Sequence, residues 1–335
     1  MGVYPVVEAP AMKKQQAEEK PDLIIKPHHD RILEAVYQYH FLTADRVVRL
    51  LYSPTSLTTV RATLARLAEA KYLLPFHEPR ATPVGATPKI YTLSLRGYNR
   101  LKQQGYHMPP RFREPDIEDL QKNYLFLRHN LAVTDFLIAA AMLERSFPTF
   151  RVYDFLHERT IKQQKKLIAV TVEKPTAKTA QGADQNGAAS MQTIRFLPDG
   201  FLDIRVTNSE DGKTKRCCIL LEVDRKTEGE DDIRRKVRGY LTFVKSGACL
   251  KEFGTKLPTV AFVNTVGGEK KRDQLIQWAE AELKKTKEPH FWTEMFVFAS
   301  ISEDQPMNSE AIFLSPVWYT PFSSKPTVLL SFGSR

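Results

Sequence analysis

Cysteine is scarce in this chain: three among 335 residues, Cys217, Cys218 and Cys249. An odd count at that spacing fits neither a disulfide framework nor a zinc site. Reduced thiols in a cytoplasmic protein are the expectation. No run approaches the roughly 20 apolar residues that span a bilayer. The opening Met1-Gly-Val-Tyr-Pro lacks the basic start and apolar run of a signal peptide, and Gly2 lacks the downstream Ser or Thr of a myristoylation signal. No membrane association is expected. Also missing are Gly-x-x-x-x-Gly-Lys-Ser/Thr, a paired-glycine dinucleotide turn and Gly-x-Ser-x-Gly. Their absence argues against P-loop nucleotide hydrolysis, nicotinamide chemistry and serine-hydrolase chemistry.

What is present is ordinary globular material, 42% hydrophobic and 26% charged, long enough for two domains. The net charge of +10 is unevenly spread. Residues 21–113 carry 14 Lys and Arg against 6 Asp and Glu, a net +8. A basic module beside a nearly neutral one suits an anionic polymer docking mainly on the first. Solvated basic helices are the plainer alternative.

Residues 1–28 read as a polar, disordered arm. Over residues 29–108, three amphipathic stretches precede a strand, a proline-rich loop and a second strand. Asp30, Thr43 and Ser56 stand where helix N-caps belong. The third stretch has its apolar stripe at Val60, Leu64 and Leu67. Three helices followed by a hairpin is the order of a winged helix-turn-helix, whose third helix enters the major groove of double-stranded DNA. Thr58, Thr59, Arg61, Thr63 and Arg66 would then face the duplex, with Arg80 at the tip of the wing. Hydroxyls and guanidinium forks suit phosphates and base edges. A winged helix used only for dimerisation or protein contact is the alternative.

Residues 109–119 read as a linker, and 120–335 as an α/β (α+β) domain with a mixed sheet covered on both faces. A long helix is expected from Leu120 to Arg145. Residues 173–191 are low-complexity and expected as a disordered loop. Within this domain, Glu222 and Asp224 share one face of a strand by parity. Asp199 ends a neighbouring apolar stretch. Three converging carboxylates need a cation, and Mg²⁺, partly hydrated, is the natural one. On this reading Asp199, Glu222 and Asp224 are metal ligands of a nuclease-like site. Lys226 or Lys236 supplies the basic group, Lys226 only if the strand runs that far. The competing reading places Glu222 and Asp224 at a strand end, paired with Arg225, Arg234, Arg235 or Lys236 as a surface network. Asp203, flanked by Leu202 and Ile204, is expected to face solvent. His129 is expected as a supporting histidine rather than a metal ligand.

The N-terminal pattern through Tyr91-Thr-Leu-Ser-Leu-Arg-Gly-Tyr, the run Leu127-Arg-His129-Asn-Leu-Ala-Val-Thr-Asp135, Pro198-Asp199-Gly and Leu221-Glu222-Val-Asp224-Arg225, with Lys236 and Tyr240 downstream, resemble the replication-relaxation family of plasmids and integrative elements. The resemblance spans roughly residues 30–265. It implies a DNA-handling role on a mobile element in replication, relaxation or transfer, as a Mg²⁺-dependent endonuclease or as a non-catalytic accessory or transcriptional regulator that binds origin DNA and recruits a replication or transfer enzyme. A dimer is compatible with either. The second half also looks like a restriction-endonuclease-like domain, whose usual pattern is Pro-Asp followed by Asp/Glu-x-Lys. Here Asp224 stands in place of that lysine. Either Lys236 or Lys226 takes over the basic role, or the site binds without cleaving.

Overall fold

The computed structural model describes residues 23–78, 87–109, 112–163, 168–173, 191–303 and 306–330. The expected arm over residues 1–22, the expected wing tip with Arg80 and all of the low-complexity stretch but its end residues Glu173 and Met191 lie outside them.

The first helix, α1 (Pro27–Tyr39), buries Ile32, Leu33 and Val36. It starts earlier than Asp30 suggests, because Pro27 is preset for a first helical turn. Asp30 sits inside the helix and accepts a bidentate pair from Arg100 at 2.9 and 2.8 Å. After β1 (Leu42–Thr43), the Thr43 hydroxyl caps α2 (Ala44–Leu51), as its position predicts. Ser56 does not cap α3 (Leu57–Glu69). It closes the short 3-10 turn Pro54–Ser56, and its hydroxyl bonds to that of Ser53 at 3.2 Å. The α3 stripe Val60, Leu64 and Leu67 is buried as its spacing requires.

Strands β2 (Leu73–His77) and β3 (Lys89–Leu93) form an antiparallel pair, with β1 on the other edge of β3. The α4 helix (Leu95–Gln103) is capped by Ser94 and packs against this sheet through Gly97. A Cβ there would lie 2.4 Å from the Tyr72 carbonyl and 2.6 Å from a Leu93 methyl, so only glycine fits.

Asp116 caps a short α5 (Ile117–Lys122), so the expected linker already contains the start of a helix. Asn123 ends it and accepts from the Phe126 amide to start α6 (Tyr124–Ser146). The single helix expected from Leu120 is therefore two, divided by that cap. The stretch Leu125–Ser146 is long and apolar enough to cross a bilayer by length and composition, contrary to the expectation that no such run exists. Its residues Phe136, Leu137, Ile138, Ala139, Ala140 and Leu143 are instead core.

The remaining elements are β4 (Phe150–His157), α7 (Glu158–Gln163), β5 (Ile168–Glu173), β6 (Met191–Phe196), β7 (Gly200–Thr207), β8 (Thr214–Asp224), α8 (Glu230–Lys245), α9 (Ala248–Phe253), β9 (Thr259–Asn264), α10 (Gly268–Leu283), β10 (Phe296–Ser300) and α11 (Ser309–Phe313). The chain is a mixed α/β protein. A five-stranded mixed sheet runs β10-β9-β8-β7-β4, parallel from β10 to β8 and antiparallel from β8 to β4. β5 and β6 pair separately as a hairpin. Strand β8 alternates faces: Ile219, Leu221 and Val223 pack in the cluster with α6, while Cys218 and Leu220 pack in the cluster with α8 and α10. Each face is thus covered by helix.

The α6 cluster runs without a break from Ile32 and Leu64 in the N-terminal unit to Val223 in β8. Trp318 and Phe313, from the C-terminal stretch, close it against Phe136. Phe136 is fully buried at this junction. Phe136→Ala is expected to cost about 3–5 kcal/mol of stability, read as a lowered midpoint in urea with little change in slope. A loss below about 1 kcal/mol, well under that range, would show that this junction is not part of the core.

Candidate functional site

Two regions hold the residues singled out in the sequence, a buried acidic cluster at the end of the five-stranded sheet, called the acidic pocket below, and the outer face of α3. The pocket begins with the backbone. Asp199 stands one residue before β7, and the register Gly200↔Leu221 brings it alongside β8. Its amide donates to the Leu221 carbonyl at 2.9 Å, and its carboxylate accepts from the Val223 amide at 2.7 Å. Asp199 therefore extends the strand ladder with its own side chain. Its other carboxylate oxygen lies 3.0 Å from His129 Nε2 on α6. Burial opposes the charge on Asp199, but His129, Lys236 and the Val223 amide outweigh it and hold the carboxyl below its ordinary range. Burial likewise opposes the charge on His129, and Asp199 overcomes it and raises that imidazole.

Glu222 is 1% exposed, on the β8 face beneath α8. Both of its oxygens are engaged. Lys236 donates to one at 2.6 Å, and the Tyr240 hydroxyl donates to the other. Lys236 and Tyr240 stand one helical turn apart on α8, so both reach the same carboxylate. Lys236 also donates to Glu228, in the turn between β8 and α8. Burial lifts Glu222 to about 7 against the pull of Lys236. Burial also works against the Lys236 ammonium, but Glu222, Glu228 and Asp199 together keep it charged.

Asp224 shares the face of Glu222, as parity predicts, but turns to the loop. One oxygen accepts from the Thr227 and Glu228 amides at 3.0 and 3.2 Å. The other faces Lys271 at 3.4 Å and makes no hydrogen bond among the described residues. β8 ends at Asp224, and Lys226 is exposed in the turn with a φ of +64°. The strand does not last long enough for Lys226 to join the acids. Asp203 does not face solvent: it is 4% exposed and pairs with Arg216 at 2.8 Å. Of the arginines weighed as partners, Arg225 pairs with Glu303, Arg234 with Glu230 and Glu282, and Arg235 with Asp232. Of the four cations weighed, Lys236 is the one that reaches the cluster.

Sequence reasoning does not point to Glu228, Lys271 or His157. Glu228 stands four residues after Asp224 in a turn bounded by Gly229, which is the one signal that could have found it. His157 is 2% exposed, and its Nε2 has no partner among the described residues. Burial outweighs Asp199 nearby and pushes it to about 4, so it is neutral. Cys217 and Cys218 point to opposite faces, and burial lifts Cys218 to about 11 and Cys249 to about 12.

A Mg²⁺ ion needs several carboxylate oxygens converging on one point, with water completing an octahedron. Here both oxygens of Asp199 and of Glu222 already meet protein donors, and of the Asp224 oxygens one is committed to its turn and the other faces the Lys271 ammonium. Among the described residues no group of three His, Cys, Asp or Glu side chains is arranged to hold a metal. The residues as they stand do not fit the ion.

On α3, Thr58, Thr59, Arg61 and Arg66 are exposed, and neither arginine has a carboxylate partner among the described residues. Thr63 is half-buried, and its hydroxyl donates to the Thr59 carbonyl at 2.9 Å. Arg66 opens onto a groove of about 750 Å³ lined also by Lys26, His28, Lys71, Arg96 and the acidic Glu69.

In the pocket, Tyr240→Phe removes one donor and leaves a Glu222 oxygen buried and unpaired. A stability loss of about 1–3 kcal/mol is expected by chemical denaturation. An unchanged midpoint would mean that the hydroxyl does not serve Glu222.

No curated protein and no solved structure matches the chain. A family model described as replication-relaxation matches residues 33–257, a span that takes in α3, α6, Asp199, Glu222, Lys236 and Tyr240. The match covers most of the chain, and the protein belongs to the replication-relaxation family.

Proposed function

We propose that this protein acts in the replication or relaxation of plasmid or mobile-element DNA by docking on double-stranded DNA through α3. Family membership supports the coarse role. The exposed Arg61 and Arg66 on α3, without carboxylate partners among the described residues, carry the finer reading. Desolvating a guanidinium against phosphate costs least where no carboxylate has to be displaced first. On this reading residues 27–103 act as a winged helix. α3 lies in the major groove, Thr58 and Thr59 meet base edges, and Arg61 and Arg66 meet phosphates. The hydroxyl of Thr63 is used within the helix, so Thr63 contributes less. Bound in this way, the protein marks a DNA site and recruits a replication or transfer enzyme.

A Mg²⁺-dependent endonuclease is the second reading. The convergence of Asp199, Glu222 and Lys236 at one sheet end favours it. The engagement of every Asp199 and Glu222 oxygen by protein donors speaks against it.

Two measurements separate these readings. An Arg61→Glu/Arg66→Glu variant is expected to weaken duplex binding and to flatten its dependence on salt, by about 0.9 in log–log slope for each phosphate that is no longer neutralised. Fluorescence anisotropy across a salt series reads this, and unchanged affinity would remove α3 from the interface. Supercoiled plasmid incubated with wild-type protein and Mg²⁺ is expected to remain intact. Nicking that Asp199→Ala/Glu222→Ala abolishes would establish the nuclease instead.

A further inference from the structure

We propose that the Lys236 ammonium is the resident cation of the acidic pocket and closes it to divalent metal. The inference concerns the pocket alone and stands apart from DNA docking at α3. Three observations carry it. First, Lys236 occupies the place where a metal would have to sit. Its Nζ is 2.6 Å from Glu222, in contact with Glu228, and close enough to Asp199 for the two charges to act on each other. Second, the position is built rather than incidental. Lys236 is flanked on α8 by Ile233, Val237 and Tyr240, all fully buried, and its own side chain is 17% exposed. The helix cannot turn the ammonium away without withdrawing that apolar face from the core. Third, the neighbouring acids have partners of their own, the second Asp224 oxygen facing Lys271 at 3.4 Å. Asp199 is held between the Val223 amide and His129, and Asp224 caps the turn that returns Glu228 to Lys236.

A divalent ion entering this pocket would have to strip hydrogen bonds from Glu222 and sit beside a like charge held in place by packing. Removing the ammonium reverses the situation. Glu222 and Glu228 would then face a cavity the size of the lost ammonium with charge left uncompensated, beside an Asp199 that keeps His129. Such a cavity with uncompensated carboxylates is what a partly hydrated Mg²⁺ or Mn²⁺ stabilises. In this chain, a tethered lysine does by covalent attachment what an exchangeable ion would otherwise do.

Isothermal titration of the full-length protein with MgCl₂, and separately with MnCl₂, tests this without any cleavage assay. Wild type is expected to give no saturable heat. Lys236→Met is expected to gain a single saturable site and to rise in melting temperature on adding the ion. Lys236→Met/Glu222→Gln is expected to lose both effects. A saturable site in wild type that Asp199→Asn or Glu222→Gln abolishes would overturn the proposal. So would a Lys236→Met protein that is folded by circular dichroism and gains no site. If Lys236→Met does not fold even with the ion present, Lys236→Gln replaces it under the same criteria, because its amide keeps a neutral donor to Glu222 while removing the charge.

Discussion

A carboxylate sealed inside a sheet has to be neutralised, hydrogen-bonded, or both, because desolvating a lone charge costs more than most folds hold in net stability. Glu222 sits under that constraint on the middle strand of the five, 1% exposed. Much of the surrounding structure answers to it. The α8 helix must deliver an ammonium and a hydroxyl one turn apart, which fixes its rotation and puts Ile233 and Val237 into the core. The turn before it must bring Glu228 to the free side of that ammonium, and Asp224 shapes the turn by capping the Thr227 and Glu228 amides. Asp199, as a second buried acid, needs its own support and takes it from the β8 backbone and from α6.

The α6 helix is where the two halves of the chain meet. Asp135 holds Arg46 in a bidentate pair at 2.8 and 2.6 Å, and the Thr134 hydroxyl donates to the Tyr39 carbonyl. Arg128 stands between Glu78, just past the end of β2, and Glu303, which also holds Arg225. The next residue, His129, supports Asp199. One helical turn therefore touches both the small antiparallel sheet and the acidic pocket. The N-terminal unit is packed onto the larger one through a shared core and these ion pairs, rather than hung from residues 109–119. On the DNA-docking reading, a duplex on α3 would be held at a defined orientation to the pocket.

Much of the local structure is legible in the chain. The α3 stripe, the Thr43 cap, the alternation of β8 and the Lys236–Tyr240 spacing all come from period and chemistry along a few residues. Expectation and structure part where a side chain has a choice of partner. Asp30 and Ser56 look like caps, but Pro27 starts one helix early and a 3-10 turn absorbs the serine. Asp203 looks solvent-facing because its neighbours are apolar, yet Arg216 across the ladder pairs with it in the interior. Lys226 has the right parity, but pairing stops at Asp224, where the chain leaves the sheet through a turn with a left-handed residue.

By itself the sequence determined which carboxylates share a strand face, which helix faces are apolar, and that a basic unit precedes a nearly neutral one. Those properties depend on spacing, and spacing is written in the chain. Tertiary structure alone decided what meets each carboxylate: a histidine and an amide at Asp199, an ammonium and a phenol at Glu222, a turn at Asp224. The partners come from different elements, and a buried charge selects among them by distance and desolvation, quantities that exist only once the helices have packed on the sheet.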